Sequence, residues 1–181
     1  ENSESIENRF NVNLDGIEYD AKFVFEKIGY NLEGNEVGAS FGLIQLLKLK
    51  QNILTRQKNF KRQTQFFDNF SEFFSNPEEN KKASTAWLAF PIQIKEDAPF
   101  SRRDLQIYLE ERNIQTRVVF TGNILRQPMM KGIKRIERNG GYPNSDNVMK
   151  RSVLLPLHHG MTDDMFDYFY DTLKGFINLK K

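Results

Sequence analysis

The chain has 181 residues, 39% of them hydrophobic, which gives room for one core. Lys and Arg (26) nearly balance Asp and Glu (24), and a net charge of +2 argues against nucleic-acid binding as the main task. There is no cysteine, so these residues form no disulfide or thiolate metal site, and no apolar run reaches the roughly 18 residues of a membrane span.

A soluble, cytoplasmic protein is the expectation, with no membrane partner. Residue 1 is Glu, not Met, and residues 1–9 are polar, which suggests a piece of a longer chain. An extended region follows, with a turn signal at Asp15-Gly16 and then the apolar Phe23-Val24-Phe25. Gly29-Tyr30-Asn31-Leu32 reads as irregular backbone, and Gly34-Asn35 as a helix start. From Glu36 to about Phe74 there is no proline, and the only two glycines lie near the start. Leu46, Leu49, Ile53, Phe60, Phe67, Phe70 and Phe74 follow three- and four-residue steps, with Arg56 and Gln63 on intervening ones. This predicts a long amphipathic helix. Its first turns carry Gly38, Ala39, Ser40 and Gly42, which suit either tight packing or an oligomer contact.

Ser75-Asn76-Pro77 ends that helix, and residues 78–84 form a loop. Trp87–Ile94 reads as a strand in which Pro91 marks an edge or a bulge. Ser101 is placed to cap a helix over Arg102–Arg112, with Leu105, Tyr108 and Leu109 inward. Thr116–Phe120 then completes a strand–helix–strand unit. Residues 129–146 read as polar loop, Ser152–Leu157 as a third strand, and Thr162 as the cap of a last helix with Phe166, Phe169, Leu173 and Phe176 on one face. The predicted fold is α+β: a small sheet covered by helices, with a long lead-in helix. Three segments follow: 1–34 as an extended link, 35–76 as the long helix, and 77–181 as a small α/β domain.

The chemistry gathers near one strand. Arg117 lies in the strand and Arg126 in the following loop, held between Gly122-Asn123 and Pro128. Two guanidinium groups so placed can act as a fork for phosphate or carboxylate, with each charge-assisted bond contributing about 1.5–3 kcal/mol. The segment supplies no nucleophile, base or metal set. His158 and His159 are adjacent at a strand end and point to opposite faces, so they fit structural or loop roles better than a shared metal. Asp163-Asp164 suits a helix start. The basic run Arg56–Arg62 reads as a solvated helix face.

Three ordered motifs carry a resemblance. Gly29-Tyr30-Asn31-Leu32 with Ala39-Ser40-Phe41-Gly42-Leu43-Ile44-Gln45-Leu46 resembles the GYN…AA.GL.QL signature of the DegT/DnrJ/EryC1/StrS sugar aminotransferase family. Thr116-Arg117, Gly122-Asn123-Ile124-Leu125-Arg126-Gln127-Pro128 and Leu155-Pro156-Leu157-His158-His159-Gly160-Met161-Thr162 fit its C-terminal part in the same order. The GN..RQP form is most similar to the branch containing CDP-4-keto-6-deoxyglucose 3-dehydratase of lipopolysaccharide synthesis.

The resemblance implies the small C-terminal domain of a fold-type I enzyme dependent on pyridoxal phosphate (PLP), working as a homodimer on a nucleotide-linked sugar. It implies that the cofactor lysine, a histidine in the 3-dehydratases, lies upstream of the GYN motif, so that this piece alone has no turnover. Asn31 would reach the cofactor phosphate of the other subunit, while Arg117, Asn123 and Arg126 would shape the substrate mouth. A basic residue common two positions after the asparagine is Glu33 here. The iron–sulfur dehydratases carry cysteines before the pair that matches Arg9-Phe10; Ser5 and Ile6 precede it here. Aminotransfer to a 4-keto-6-deoxysugar is therefore the first expectation and C-3 dehydration the second. A non-catalytic binding or assembly module is the alternative from another class.

Overall fold

The computed structural model describes residues 6–29 and 35–181. After a short helix α1 (Ile6–Arg9), strands β1 (Val12–Leu14) and β2 (Ile17–Tyr19) form a hairpin. Its turn is Asp15-Gly16, with φ of 54° and 85°, the left-handed pair that a two-residue hairpin loop needs to match strand twist. Helix α2 (Glu36–Asp68) is unbroken and starts where Asn35 Oδ1 accepts the Gly38 N–H at 2.6 Å. Next come β3 (Phe74–Ser75), β4 (Ala89–Ile94), α3 (Arg102–Glu110), β5 (Arg117–Val118), α4 (Pro143–Arg151), β6 (Ser152–Pro156) and α5 (Asp163–Lys180).

Strands β3 to β6 make one sheet in the order β3-β4-β6-β5, with every neighbouring pair antiparallel. The last strand in sequence thus slots between the two strands of the expected strand–helix–strand unit. Phe90, Ile92 and Ile94 alternate inward from β4, and Val153 and Leu155 from β6. Against them pack Phe60 and Phe67 of α2, Leu105 and Leu109 of α3, and Phe169, Leu173 and Phe176 of α5. The rings interlock: Phe67 stacks on Phe90 at 5.4 Å, and Phe100 meets Phe176 edge-on at 4.9 Å. Helix caps sit where the sequence sets them, with Ser101 and Asp104 forming a capping box and Thr162 capping α5. Asp163 pairs with Arg62 at 2.5 Å, and Arg62 also lies over the Phe166 ring, so one arginine of the basic run joins α2 to α5.

The hairpin is fastened to the sheet by Arg9. Its guanidinium bonds both carboxylate oxygens of Asp20, which is fully buried, donates to the Thr116 carbonyl at 3.2 Å, and lies 3.2 Å from Glu110. Burial opposes the charge of Arg9, but hydrogen bonds and charges from Asp20 and Glu110 outweigh it and raise its pKa. Leu14, Tyr19, Val118 and Met149 close a second, smaller core beneath the hairpin. Residues 6–23, expected as part of an extended link, thus keep strand character but fold back onto the domain.

Four element boundaries differ from expectation. Helix α2 stops at Asp68 because Asn69 turns its amide onto the Gln65 and Phe66 carbonyls; Phe74 then joins the sheet opposite Ile94. Strand β5 is only two residues long, since the Thr116 N–H goes to Glu110 at 2.6 Å and Phe120 takes φ of 46°. Strand β4 begins at Ala89 because Trp87 is drawn off to stack on Phe60 at 4.6 Å. Helix α4 occupies part of the expected polar loop. Its only apolar residues are Val148 and Met149, so no helical spacing betrays it, and Pro143 at its first turn is its one sequence signal. At Pro91 the edge reading holds, for β3 pairs only with Gln93 and Ile94 and leaves β4 open there.

Arg9→Ala leaves the Asp20 carboxylate buried and uncompensated. Thermal or denaturant unfolding is expected to show a loss of about 3–5 kcal/mol. A loss below about 1 kcal/mol would mean that the hairpin is held by its apolar face alone.

Candidate functional site

The loop after β5 is built inward. At Gly122, φ is 62° and a Cβ would lie 2.4 Å from Met149 Cγ, so only glycine lets the chain pass this close to α4. Asn123 is buried; its Oδ1 caps the Leu125 N–H, and its Nδ2 donates to Asp146 Oδ1 at 2.7 Å. Arg126 meets the same carboxylate in bidentate fashion, Nε to Oδ1 at 2.6 Å and Nη2 to Oδ2 at 2.7 Å. The hydrogen bond raises the Arg126 pKa and lowers that of Asp146. Gln127 is buried, donating to the Thr121 and Phe23 carbonyls and accepting the Phe25 N–H at 3.0 Å. Every polar residue of this motif thus has an internal partner.

Arg117 stands elsewhere. It lines a cleft of about 380 Å³ together with Gln115, Leu88, Leu154, Pro156 and His158. Arg126 is not on its walls, so the two guanidinium groups do not share a receptor. The Arg117 side chain is exposed, and among the described residues no carboxylate pairs with it. The lining residues include no acid, so the cleft offers a cation over an apolar floor.

His158 shares this wall. Its Nδ1 accepts the Gly160 N–H at 3.1 Å, which assigns the ring proton to Nε2. Burial, and then the positive neighbours His159 and Arg56, lower its pKa below 6.5, so it is neutral at pH 7 and acts as a donor. Two buried amides of α2 fix the end of β6 beneath it: Asn59 donates to the His158 carbonyl at 2.9 Å and Gln63 to the Pro156 carbonyl at 3.0 Å. Sequence reading singled out neither of these amides nor Asp146. Gln63, one of two polar residues on the mostly apolar stripe of α2, is the available signal. Asn31 lies outside the described residues.

This antiparallel sheet, backed by three helices and preceded by a long helix, is the C-terminal small-domain architecture of fold-type I PLP-dependent aminotransferases and related dehydratases. The chain belongs to the DegT/DnrJ/EryC1/StrS aminotransferase family, which matches residues 1–174. It is 32% identical to the lipopolysaccharide biosynthesis protein RfbH of Salmonella typhimurium over 89% of this chain and 37% of that protein. It is 33% identical to dTDP-4-dehydro-2,6-dideoxy-D-glucose 3-dehydratase of Saccharopolyspora spinosa over 88% of this chain and 34% of that one. Among solved structures, E. coli GDP-4-keto-6-deoxy-D-mannose-3-dehydratase with bound hydrated PLP superimposes with a TM-score of 0.66 at 26% identity, covering 84% of this chain and 38% of that chain. The chain therefore spans little more than a third of the length of these relatives.

None of the described lysines is buried, and neither the Arg117 cleft nor the Asp146 cluster contains one. What the described residues can do is bind and orient an anion.

Gly122→Ala should unfold more easily by about 1–3 kcal/mol, because the added methyl strikes Met149 at a positive φ. An unchanged melting temperature would contradict the close approach. The His158 ring should titrate below 6.5 by NMR, and Arg56→Gln should move the midpoint upward. With its folded pKa depressed, His158 adds stability above its unfolded pKa and loses it as pH falls through the folded one. A midpoint above 6.5 would contradict this environment.

Proposed function

We propose that the whole protein is a PLP-dependent enzyme acting on a nucleotide-linked 4-keto-6-deoxysugar for lipopolysaccharide or O-antigen synthesis, removing the C-3 oxygen while glutamate, as reductant, is converted to 2-oxoglutarate and ammonia. The observation that carries this reading is the unpaired Arg117 guanidinium over an apolar floor, in a chain of this family. A nucleotide sugar presents phosphate charge beside a low-polarity ring, and the cleft offers matching chemistry. Arg117 holds a phosphate oxygen and His158 Nε2–H donates to a sugar or phosphate oxygen. Asn123 and Arg126 act on the substrate mouth by holding its loop, since Asp146 already compensates the Arg126 charge. Asn31 is assigned the cofactor phosphate of a second subunit in a cytoplasmic homodimer.

The names of the relatives favour dehydration, whereas the family description favours aminotransfer as the second reading. The amino half of α2 supports a role in interdomain or dimer contact, because Val37 and Leu47 are 81% and 83% exposed and Phe41 and Ile44 also face solvent.

The test uses the full-length protein with PLP, glutamate and candidate nucleotide-linked 4-keto-6-deoxysugars. Mass spectrometry is expected to find a product short of one oxygen; a product bearing a new amine would select aminotransfer. Arg117→Ala should raise KM for the sugar nucleotide at least about tenfold with a smaller change in kcat, as expected for loss of uniform binding. No turnover of any such sugar, or an unchanged KM, would overturn the assignment.

A further inference from the structure

Residues 56, 59 and 63 of α2 follow three- and four-residue steps, so Arg56, Asn59 and Gln63 share one helix face with Phe60. Phe60 is the core residue there and stacks on Trp87. The three polar side chains beside it all donate to backbone carbonyls. Arg56 Nη1 reaches the Trp87 carbonyl at 3.1 Å, Asn59 Nδ2 the His158 carbonyl at 2.9 Å and Gln63 Nε2 the Pro156 carbonyl at 3.0 Å.

These acceptors stand where the sheet stops. The β4–β6 register ends at the Ala89–Pro156 pair, so residues 87–88 on one strand and 157–159 on the other lie beyond the ladder. Leu88 and His158, which both line the Arg117 cleft, belong to those two ends. The turn after β6 closes on itself, the His158 carbonyl also taking the Met161 N–H at 3.3 Å, and Asn59 hydrogen-bonds it to α2. Gln63 is fully buried with its Oε1 left without a hydrogen-bond partner, a cost that an apolar residue of that size would not carry. What the position gains is the Nε2 bond to the wall. Helix α2 is continuous from Glu36 to Asp68, so all three donors are fixed to one rigid element.

We propose that Arg56, Asn59 and Gln63 are positioning residues for the Arg117 cleft: from one helix they set the separation of Leu88 and His158, and with it which group fits between them. This rests on the reading of that cleft as the site of the nucleotide sugar. The gap between Leu88 and His158 selects the low-polarity sugar ring, while Arg117 holds the phosphate. Asn59 and Gln63 are buried, so they act through the wall carbonyls and not by touching the ligand.

The experiment uses the full-length protein and compares Asn59→Ala and Gln63→Met with Asn76→Ala. Asn76 donates to the Thr64 carbonyl and to Asp68 and is not on the cleft walls, so its loss removes amide bonds to α2 without freeing the wall. Gln63→Met keeps the side-chain volume and remains informative if Asn59→Ala does not fold, which circular dichroism checks. Arg56 is left in place because its charge also acts on the His158 ring. NMR titration of that ring needs no substrate. Burial is the first cause of its lowered pKa, and the charges near it, His159 and Arg56, as well as Arg117 on the same cleft, are the same in every variant. The midpoint is expected to rise toward 6.5 in Asn59→Ala and Gln63→Met, as the freed wall admits water, and to stay in place in Asn76→Ala. KM for the sugar nucleotide should rise at least about fivefold in the same two variants, with kcat within about twofold. An unmoved midpoint in both, an equal rise in Asn76→Ala, or a fall in kcat at constant KM would overturn the positioning role. If the wild type turns over no such sugar, the nucleotide-sugar reading fails by itself, and the titration alone decides whether α2 sets the wall.

Discussion

The Arg9 guanidinium is the constraint on which the rest is built. A fully buried carboxylate such as Asp20 is tolerated only when a charge and hydrogen bonds replace its water, and Arg9 supplies both. The same group reaches the Thr116 carbonyl and Glu110, and Glu110 in turn accepts from the Thr116 N–H and hydroxyl. Hairpin, α3 and the approach to β5 are thereby tied at one point. Arg117, the residue after this knot, inherits its place from it. A side chain on a two-residue strand has little ladder of its own to position it, so its placement comes from the buried ion cluster next door.

The GN..RQP segment illustrates how chemistry-bearing residues can serve architecture first. Gly122 permits contact with α4, Asn123 and Arg126 converge on Asp146, and Gln127 ties in the 23–25 segment. Arg126 remains part-exposed, yet a bidentate carboxylate already satisfies much of its charge. An incoming phosphate would have to compete with Asp146 for it. Arg117 has no such competitor among the described residues, which shifts the expected ligand contact to the strand rather than the loop.

How much of this the sequence reveals depends on whether the cause is local. The Asp15-Gly16 turn, the caps Asn35, Ser101 and Thr162, and the apolar faces of α2 and α5 are local, and each is legible from a few neighbouring residues. The end of α2 is not legible in this way, because Phe74 keeps helical spacing while packing on Phe67 and Phe100 from a strand. Helix α4 leaves no local trace, because Met149, its one buried residue, packs against the hairpin core, a partner more than a hundred residues away. The insertion of β6 between β4 and β5 is likewise non-local. For the site, Arg117, Asn123 and Arg126 were visible as residue types, but their pairing was not, since Asp146 sits in the segment read as loop.

Net charge conveys equally little of where binding can occur. A balance of +2 says that cations and anions are nearly equal in number, not that they neutralise one another in space. Arg9 is matched by Asp20, Arg62 by Asp163, Arg126 by Asp146 and Arg135 by Glu137. Each matched pair removes field from the surface, because the fields of opposite charges a few ångströms apart largely cancel at a distance, and salt screens the rest beyond a Debye length of about 8 Å. What remains available to a ligand is the residue of this cancellation, and it is uneven. It includes the cleft that holds Arg117 beside neutral His158. A near-neutral chain can therefore keep an uncompensated guanidinium at its surface, provided its acids are spent on holding the fold together elsewhere.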